Sequence, residues 1–231
     1  MNGSEAFNPR EVGEALTRYD SLRLVSPGTI EGRLDICAEY ERRLIQDHFD
    51  VRIERKNSNS VILPAVYETG VRIDTIARRL GVSDTRNLHR NPDGGSLCLC
   101  VKQQEREKFP PGSSLLTFIE NLVVPYFYAL SHYEATGRWL WGEYTHGALG
   151  LLEFYEDSTR PQTKEELEEV IAAIRLEPTW AQFRKQMKNP ASKRDCPCGS
   201  GINFGKCHPK AYRGVKTLAA LLQHHGIAKT L

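Results

Sequence analysis

Apolar and polar residues alternate along three segments in the first third of the chain. An alternation with a period of two is typical of strands that bury one face, and it predicts strands over residues 29–41, 43–56 and 60–68. Pro64 lies in the third segment and favours an edge or irregular strand, because proline cannot donate a backbone hydrogen bond to a neighbouring strand. A helical period over residues 9–19, with Asn8 as its N-cap, precedes the strands. A helix followed by consecutive strands predicts an α+β fold with an antiparallel meander and flanking helices.

The later part of the chain has helical rather than alternating periods. Apolar residues lie on all sides of residues 115–130, which predicts a buried helix that is capped by Ser113 or Ser114 and kinked at Pro125. Further helices are predicted over residues 71–88, 163–176 and 215–224. We therefore expect helices to outnumber strands beyond the meander.

Composition and charge divide the chain unevenly. The 231 residues include 31 Lys or Arg and 29 Asp or Glu, a net charge of +2. From Asn189 onward there are seven Lys or Arg and one acid, Asp195, so this tail carries +6 and the rest −4. We predict a main domain over residues 1–157, a helical connector over 158–191 and a basic C-terminal module over 192–231. The module would contact an acidic surface.

Two further features of the sequence bear on location. The first residues have neither a basic nor an apolar signal region, and the most apolar stretch is too short to span a bilayer. We expect a cytoplasmic protein without membrane contact, in which the six cysteines are metal ligands or catalytic thiols rather than disulfides.

Four metal-binding side chains are closely spaced in the C-terminal module. Cys196 and Cys198 are followed, after eight residues, by Cys207 and His208. Three sulfurs and one imidazole complete a tetrahedral Zn²⁺ site with no open position, so the sequence predicts structural zinc. The Cys-Pro-Cys-Gly-Ser-Gly segment, with Phe204 in an aromatic position, resembles the SEC-C motif.

A second candidate site surrounds Cys98. A Gly-rich turn separates this cysteine from Asn91, and the chain is expected to double back so that the Asn91 amide faces the sulfur. An amide donor near a thiol nucleophile stabilises the oxyanion formed during acyl transfer. We expect Cys98 in a short strand with Cys100 on the same face, the latter as a resolving thiol or as packing. Alternatively, Cys98 is itself a small buried apolar residue.

Residues around Cys98 resemble the active site of ubiquitin-conjugating enzymes. The resemblance rests on His89-Arg90-Asn91, where Arg90 stands in place of the family's proline, and on Gly95-Ser96-Leu97-Cys98-Leu99. It implies a ubiquitin-conjugating-enzyme-like fold for the main domain, with the three catalytic residues Cys98, Asn91 and His89. It also implies that Cys98 holds the thioester and that Asn91 stabilises the oxyanion.

The resemblance implies a carrier enzyme of bacterial type. A ubiquitin-like protein, or another activated protein C-terminus, would be the donor. The chain's lack of a phosphate-binding motif implies a separate activating enzyme or a pre-activated donor. The family context implies an anti-phage operon, with a nucleotide cyclase as a candidate target.

Two other functions remain open at this stage. One is a non-catalytic binding or adaptor protein of the same fold with a zinc-dependent contact module. The other is nucleic-acid or ribosome binding through the basic tail, as an accessory role. The Trp-rich segment after Gly137 is expected to be a packed aromatic loop, with Glu143 or His146 lining a site as the alternative.

Overall fold

The computed structural model describes residues 6–55, 63–91, 94–141 and 144–231. The chain divides into two compact units, residues 1–142 and 143–231. Within the described residues, the first unit contains all four strands, and the second contains five α-helices and a short 3-10 helix, Ile227–Thr230. The α+β class predicted from the pattern of apolar residues is therefore confirmed.

The first unit is built on a four-stranded antiparallel sheet. Its strands follow chain order, with the bounds β1 Leu22–Ser26, β2 Thr29–Tyr40, β3 Arg43–Glu54 and β4 Ala65–Glu68. The long strands β2 and β3 pair along their whole length and meet at a two-residue turn. Glu41 and Arg42 in that turn have φ of 49° and 66°, and this left-handed geometry matches the twist of a tight hairpin.

The predicted strands correspond to β2, β3 and β4, whereas β1 was not predicted. Pro64 immediately precedes β4, which lies at one edge of the sheet, in agreement with its expected effect; residues 60–62 lie outside the described residues. Burial does not alternate along strand β1, where the consecutive residues Leu24 and Val25 are both 46 % exposed. Its pairing with β2 is therefore a tertiary contact that the local sequence does not signal.

Helices cover one face of the sheet. Helix α1, Pro9–Arg18, is capped by the Asn8 side chain, which accepts from the Arg10 N–H, as predicted. Helix α2, Arg72–Leu80, follows β4, and a short helix α3, Glu105–Lys108, follows the Cys98 segment. One long continuous helix comes next, and it has three segments. They are α4 (Leu115–Phe118), a π-helical turn (Ile119–Val123) and α5 (Val124–Thr136).

The long helix supplies much of the core of the first unit. Ser114, one of the two predicted caps, accepts from the Thr117 N–H at 3.1 Å. The π-helical turn immediately precedes the residues around Pro125, where the missing N–H interrupts the hydrogen-bond ladder. Phe127 stacks on Phe49 of β3 at 4.3 Å between ring centroids, and both rings are buried. The prediction of a buried helix is thus confirmed, and the irregularity before Pro125 is a π-helical turn.

The second unit consists of helices around the C-terminal module. Their bounds are α6 Ala148–Asp157, α7 Lys164–Arg175, α8 Trp180–Lys188, α9 Phe204–Cys207 and α10 Pro209–His224. A capping box formed by Thr163 and Glu166 begins α7, and α10 begins six residues before the predicted terminal helix. Helix α8 lies within the segment predicted as a connector. Among the described residues, no helix has both the length and the apolar character that crossing a bilayer requires.

Helix α6 packs against α10, so it lies in the second unit, although the predicted main domain extended to residue 157. Gly214 makes this packing close, because a Cβ placed there would lie 1.6 Å from the Leu152 carbonyl oxygen. The apolar residues of α6 alone do not indicate which unit they belong to. The difference in the boundary therefore has its origin in a helix–helix contact between distant parts of the sequence.

Candidate metal centre and cysteine loop

The backbone of the C-terminal module brings its two pairs of metal-binding residues together. An isolated antiparallel bridge joins Asp195 to Asn203, and the Cys196 N–H donates to the Ile202 carbonyl at 2.8 Å. Between them the chain turns at Gly199 and Gly201, which have φ of 80° and 71° and so favour glycine. This turn places the first cysteine pair next to the end of α9, where the second pair lies.

The four predicted ligands form one cluster. Each offers a ligand atom within 4.8 Å of every other, in the set Cys196, Cys198, Cys207 and His208. Cys196 Sγ lies 3.2 Å from His208 Nδ1, and Cys198 Sγ lies 3.6 Å from Cys207 Sγ. A tetrahedral zinc site with Zn–S bonds of about 2.3 Å separates its sulfurs by about 3.8 Å. The donor set and its spacing fit a metal ion, as predicted from the sequence.

Hydrogen-bond donors surround the sulfurs. Burial raises the pKa of the Cys196 thiol to about 12, although the Cys198 N–H opposes this effect. Burial also raises the pKa of Cys198, but hydrogen bonds from the Ser200 hydroxyl and N–H outweigh it and lower that pKa to about 7. Because a metal binds thiolates, the N–H and O–H groups that stabilise thiolates also favour binding.

The second candidate site is a closed loop between His89 and Cys98. The Cys98 N–H donates to the His89 carbonyl at 2.7 Å, and the Asn91 N–H donates to the Ser96 carbonyl at 2.8 Å. The Gly95 N–H donates to the Asn91 carbonyl at 3.2 Å. The backbone therefore doubles back as predicted, with Asn91 and Cys98 on its two arms.

Three hydrogen bonds hold this loop and the residues just before it against the rest of the first unit. The Leu97 N–H donates to the Val66 carbonyl of β4 at 2.7 Å. The buried Tyr126 hydroxyl of α5 donates to the Leu88 carbonyl at 2.8 Å, and Trp139 Nε1 donates to the Asn87 carbonyl at 3.1 Å. Neither Tyr126 nor Trp139 can be recognised as an anchor from the sequence, because each contacts a backbone carbonyl far away along the chain.

The side chains of the predicted catalytic residues have different surroundings. Cys98 is partly buried, and its thiol points to the Cys100 carbonyl at 3.7 Å. The Asn91 amide donates to Ser96 Oγ at 3.1 Å, on the exposed side of the loop. The His89 ring packs edge-on against Trp139, with 4.8 Å between ring centroids.

The strand expected around Cys98 is absent from the described residues. Leu97 forms only an isolated bridge with Arg90, and residues 98–100 follow it without a strand. Arg90 itself pairs with Asp74 of α2 at 2.6 Å. Leu97 lies beside the edge strand β4 and donates its N–H to the Val66 carbonyl, but the pairing does not continue to Cys98. The same-face argument for Cys98 and Cys100 therefore does not apply.

Aromatic packing accounts for the described part of the Trp-rich segment. Trp139 stacks on Tyr133 at 4.9 Å, and Trp141 packs edge-on against Tyr40 at 5.4 Å. Glu143, one of the two residues considered for a site here, lies outside the described residues.

In the second unit, the buried carboxylate of Glu153 accepts hydrogen bonds from the N–H and the hydroxyl of Thr145, a polar contact that the sequence does not predict.

Fold and sites together define an α+β protein with a C-terminal cluster of three cysteines and one histidine that could hold a metal ion. A family model described as the SEC-C motif matches residues 195–208, which confirms that motif. No curated protein and no solved structure matches the chain. The family match therefore lies within the C-terminal module and does not extend to the first unit.

Proposed function

We propose that the protein is a ubiquitin-conjugating-like transferase that carries an activated C-terminal carbonyl as a thioester on Cys98. The observation that carries this proposal is the closed and anchored loop, in which the partly buried Cys98 pairs through its N–H with the His89 carbonyl, two residues before Asn91 on the other arm. The order of elements also supports it, since a helix, a four-stranded meander, the cysteine loop and a long helix occur in the order of the family that the loop resembles, with α2 inserted between β4 and the loop.

Thioester transfer makes limited demands on the residues of the loop. The Cys98 thiolate attacks the donor's C-terminal carbonyl carbon, a new C–S bond forms, and the carrier sulfur of the donor leaves and takes up a proton. An acceptor amine then attacks the same carbon, and Cys98 leaves as a thiolate. A separate activating enzyme supplies the thioester, and the reaction takes place in the cytoplasm.

Asn91 acts as the oxyanion donor in this proposal. Its amide carries two N–H donors, and one of them contacts Ser96 Oγ. The remaining donor, or the whole amide after release from Ser96, stabilises the negative charge on the carbonyl oxygen. The His89 ring, held by Trp139, helps to orient this arm of the loop.

A charging assay tests the proposal without knowledge of the natural donor. The probe is a ubiquitin-like protein supplied as a C-terminal thioester of 2-mercaptoethanesulfonate, and the product is followed by intact mass. We expect a thiol-labile adduct with the wild-type chain, an ester or no adduct with Cys98→Ser, and none with Cys98→Ala. Asn91→Ala should permit charging but slow transfer to an amine by roughly 10²-fold.

Cys100→Ala is the matched control, since it removes the neighbouring thiol and leaves Cys98 in place. It should form the adduct as the wild type does. An adduct that persists in Cys98→Ala and disappears in Cys100→Ala would show that Cys100 is the acylated residue, and the proposal for Cys98 would then be wrong.

The C-terminal cluster favours a second candidate, a non-catalytic adaptor that binds its partner through the metal module. The seven basic residues from Asn189 onward suit an acidic partner, such as the acidic surface of a nucleotide cyclase in an anti-phage system. An adaptor would bind equally well as wild type and as Cys98→Ala, and would lose binding in Cys198→Ser. Calorimetry with a candidate partner therefore separates the two functions.

A further inference from the structure

Ser200 contacts two of the four clustered ligands. Its Oγ lies 3.2 Å from Cys198 Sγ and 3.2 Å from Cys207 Sγ. The same oxygen accepts from the Ile202 N–H at 3.3 Å. The hydroxyl is therefore held between a backbone donor and two sulfurs that come from opposite ends of the motif.

The backbone on either side of Ser200 directs it toward the sulfurs. Gly199 and Gly201 both have positive φ, so the chain reverses on each side of the serine. The Gly199 N–H donates to the Cys196 carbonyl at 3.1 Å, which closes the turn. This turn therefore determines where the short Ser200 side chain lies, and no long side chain has to reach across the site.

The hydrogen bonds that the Ser200 hydroxyl can still make determine its role when a metal is bound. The Ile202 N–H occupies one acceptor position of Ser200 Oγ, so the hydroxyl proton is free for a sulfur. Three thiolates and one neutral imidazole around Zn²⁺ carry a net charge of −1, and a donor to a thiolate offsets part of that charge. Either Cys198 or Cys207 can accept the proton, because both sulfurs lie at the same distance.

We propose that Ser200 is a positioning residue of the metal site, whose hydroxyl donates to the Cys198 and Cys207 thiolates in turn and thereby raises the affinity of the module for Zn²⁺. The motif identifies the four ligands, whereas this role comes from the two Oγ–Sγ contacts. Outer groups that hydrogen-bond to metal ligands change metal affinity by about 10- to 100-fold. Since Ser200 is exposed and water competes for its proton, we expect a loss near the lower limit.

Competition for Zn²⁺ with a chromophoric chelator tests the proposal on the full-length chain at one pH. Ser200→Ala should lower the affinity by about 10-fold, because the hydroxyl is lost and the shape is nearly kept. Ser200→Thr retains the hydroxyl and should retain most of the affinity. Ser192→Ala is the matched control, since it removes another exposed serine hydroxyl of the same module and should have no effect.

Co²⁺ in place of Zn²⁺ gives a second readout that a general loosening of the fold would not produce. A hydrogen bond lowers the energy of the sulfur lone pairs, so its loss in Ser200→Ala should move the sulfur-to-cobalt charge-transfer band to lower energy. Ser200→Thr and Ser192→Ala should keep the wild-type band. A Ser200→Ala protein with wild-type affinity and band position would overturn the proposal, as would an equal loss of affinity in Ser192→Ala or Ser200→Thr.

Discussion

At the residue scale, the environment of Cys100 limits what the thiol next to Cys98 can do. Burial, the nearby Glu105 carboxylate and the Cys98 sulfur raise the pKa of the Cys100 thiol to about 12. Only the thiolate is a nucleophile, so Cys100 is inert at neutral pH although it is close to Cys98. The raised pKa therefore disfavours Cys100 as the reactive thiol.

Alkylation by iodoacetamide should reflect the raised pKa of Cys100. With a pKa of about 12, Cys100 has a thiolate fraction of about 10⁻⁴ at pH 8, and its reaction rate should rise tenfold per pH unit up to that pKa. The Cys98→Ala variant retains Cys100, and the Cys100→Ala variant retains Cys98, so peptide mass spectrometry of the two gives each rate. The exposed Cys37 is an internal reference in both.

We expect slow labelling at position 100 and faster labelling at position 98. If Cys100 reacted as fast as Cys37 at pH 8, the enclosed environment described for it would be wrong.

At the scale of elements, α6 and α10 pack closely in the second unit. Gly214 lies against the Leu152 carbonyl, and an added Cβ would also come within 3.2 Å of the Glu156 N–H nitrogen. Two ion pairs join the same helices, from Arg213 to Glu156 and from Lys210 to Asp157, each at 2.6 Å. Backbone proximity, rather than these partly exposed charges, sets the packing distance.

Gly214→Ala should destabilise the protein, because the methyl group forces the two helices apart. Overpacking of this kind costs about 1–3 kcal/mol. Gly13→Ala is the matched control in α1, where nothing lies within 4 Å of the added Cβ, and it should stabilise by about 0.5–1 kcal/mol. Urea unfolding followed by circular dichroism measures both changes, and a neutral Gly214→Ala would contradict the close packing.

At the scale of the whole molecule, the two units have different sources of stability. The first unit has a sheet covered by helices, with the buried Phe49 and Phe127 in its core. Within the module, residues 192–208 contain one four-residue helix, α9, and one isolated bridge, so we expect a bound metal ion to contribute much of the folding free energy of this segment. The two parts should therefore respond differently to removal of the metal.

Purified, reduced protein should contain one Zn²⁺ per chain. Chelation, or Cys198→Ser, should release it and increase amide hydrogen exchange in residues 192–208, because the cluster then loses the ion that holds it together. Residues 6–55 should keep their exchange rates. Metal analysis that finds no zinc, or exchange that rises equally in both regions, would count against a structural zinc site.

The sequence by itself determined features that depend on neighbouring residues. The Asn8 and Ser114 caps, the capping box at Thr163 and the strands β2 and β3 follow from local hydrogen bonding and from period-two alternation. The four metal ligands were also identified from spacing, since they lie within thirteen consecutive residues of a single motif. In each case, the interacting groups are close along the chain, so their pattern survives in the linear sequence.

Only the tertiary structure decided features that join distant residues. Strand β1 forms because β2 offers an edge, whereas the Cys98 segment contacts the edge strand β4 at Leu97 without continuing as a strand. Helix α6 lies in the second unit because Gly214 allows it to pack closely against α10. The anchoring of the cysteine loop by Tyr126 is of the same kind, as its hydroxyl reaches a carbonyl thirty-eight residues away. Backbone groups have the same chemistry at every position, so the sequence does not indicate which of them a distant side chain or strand will meet.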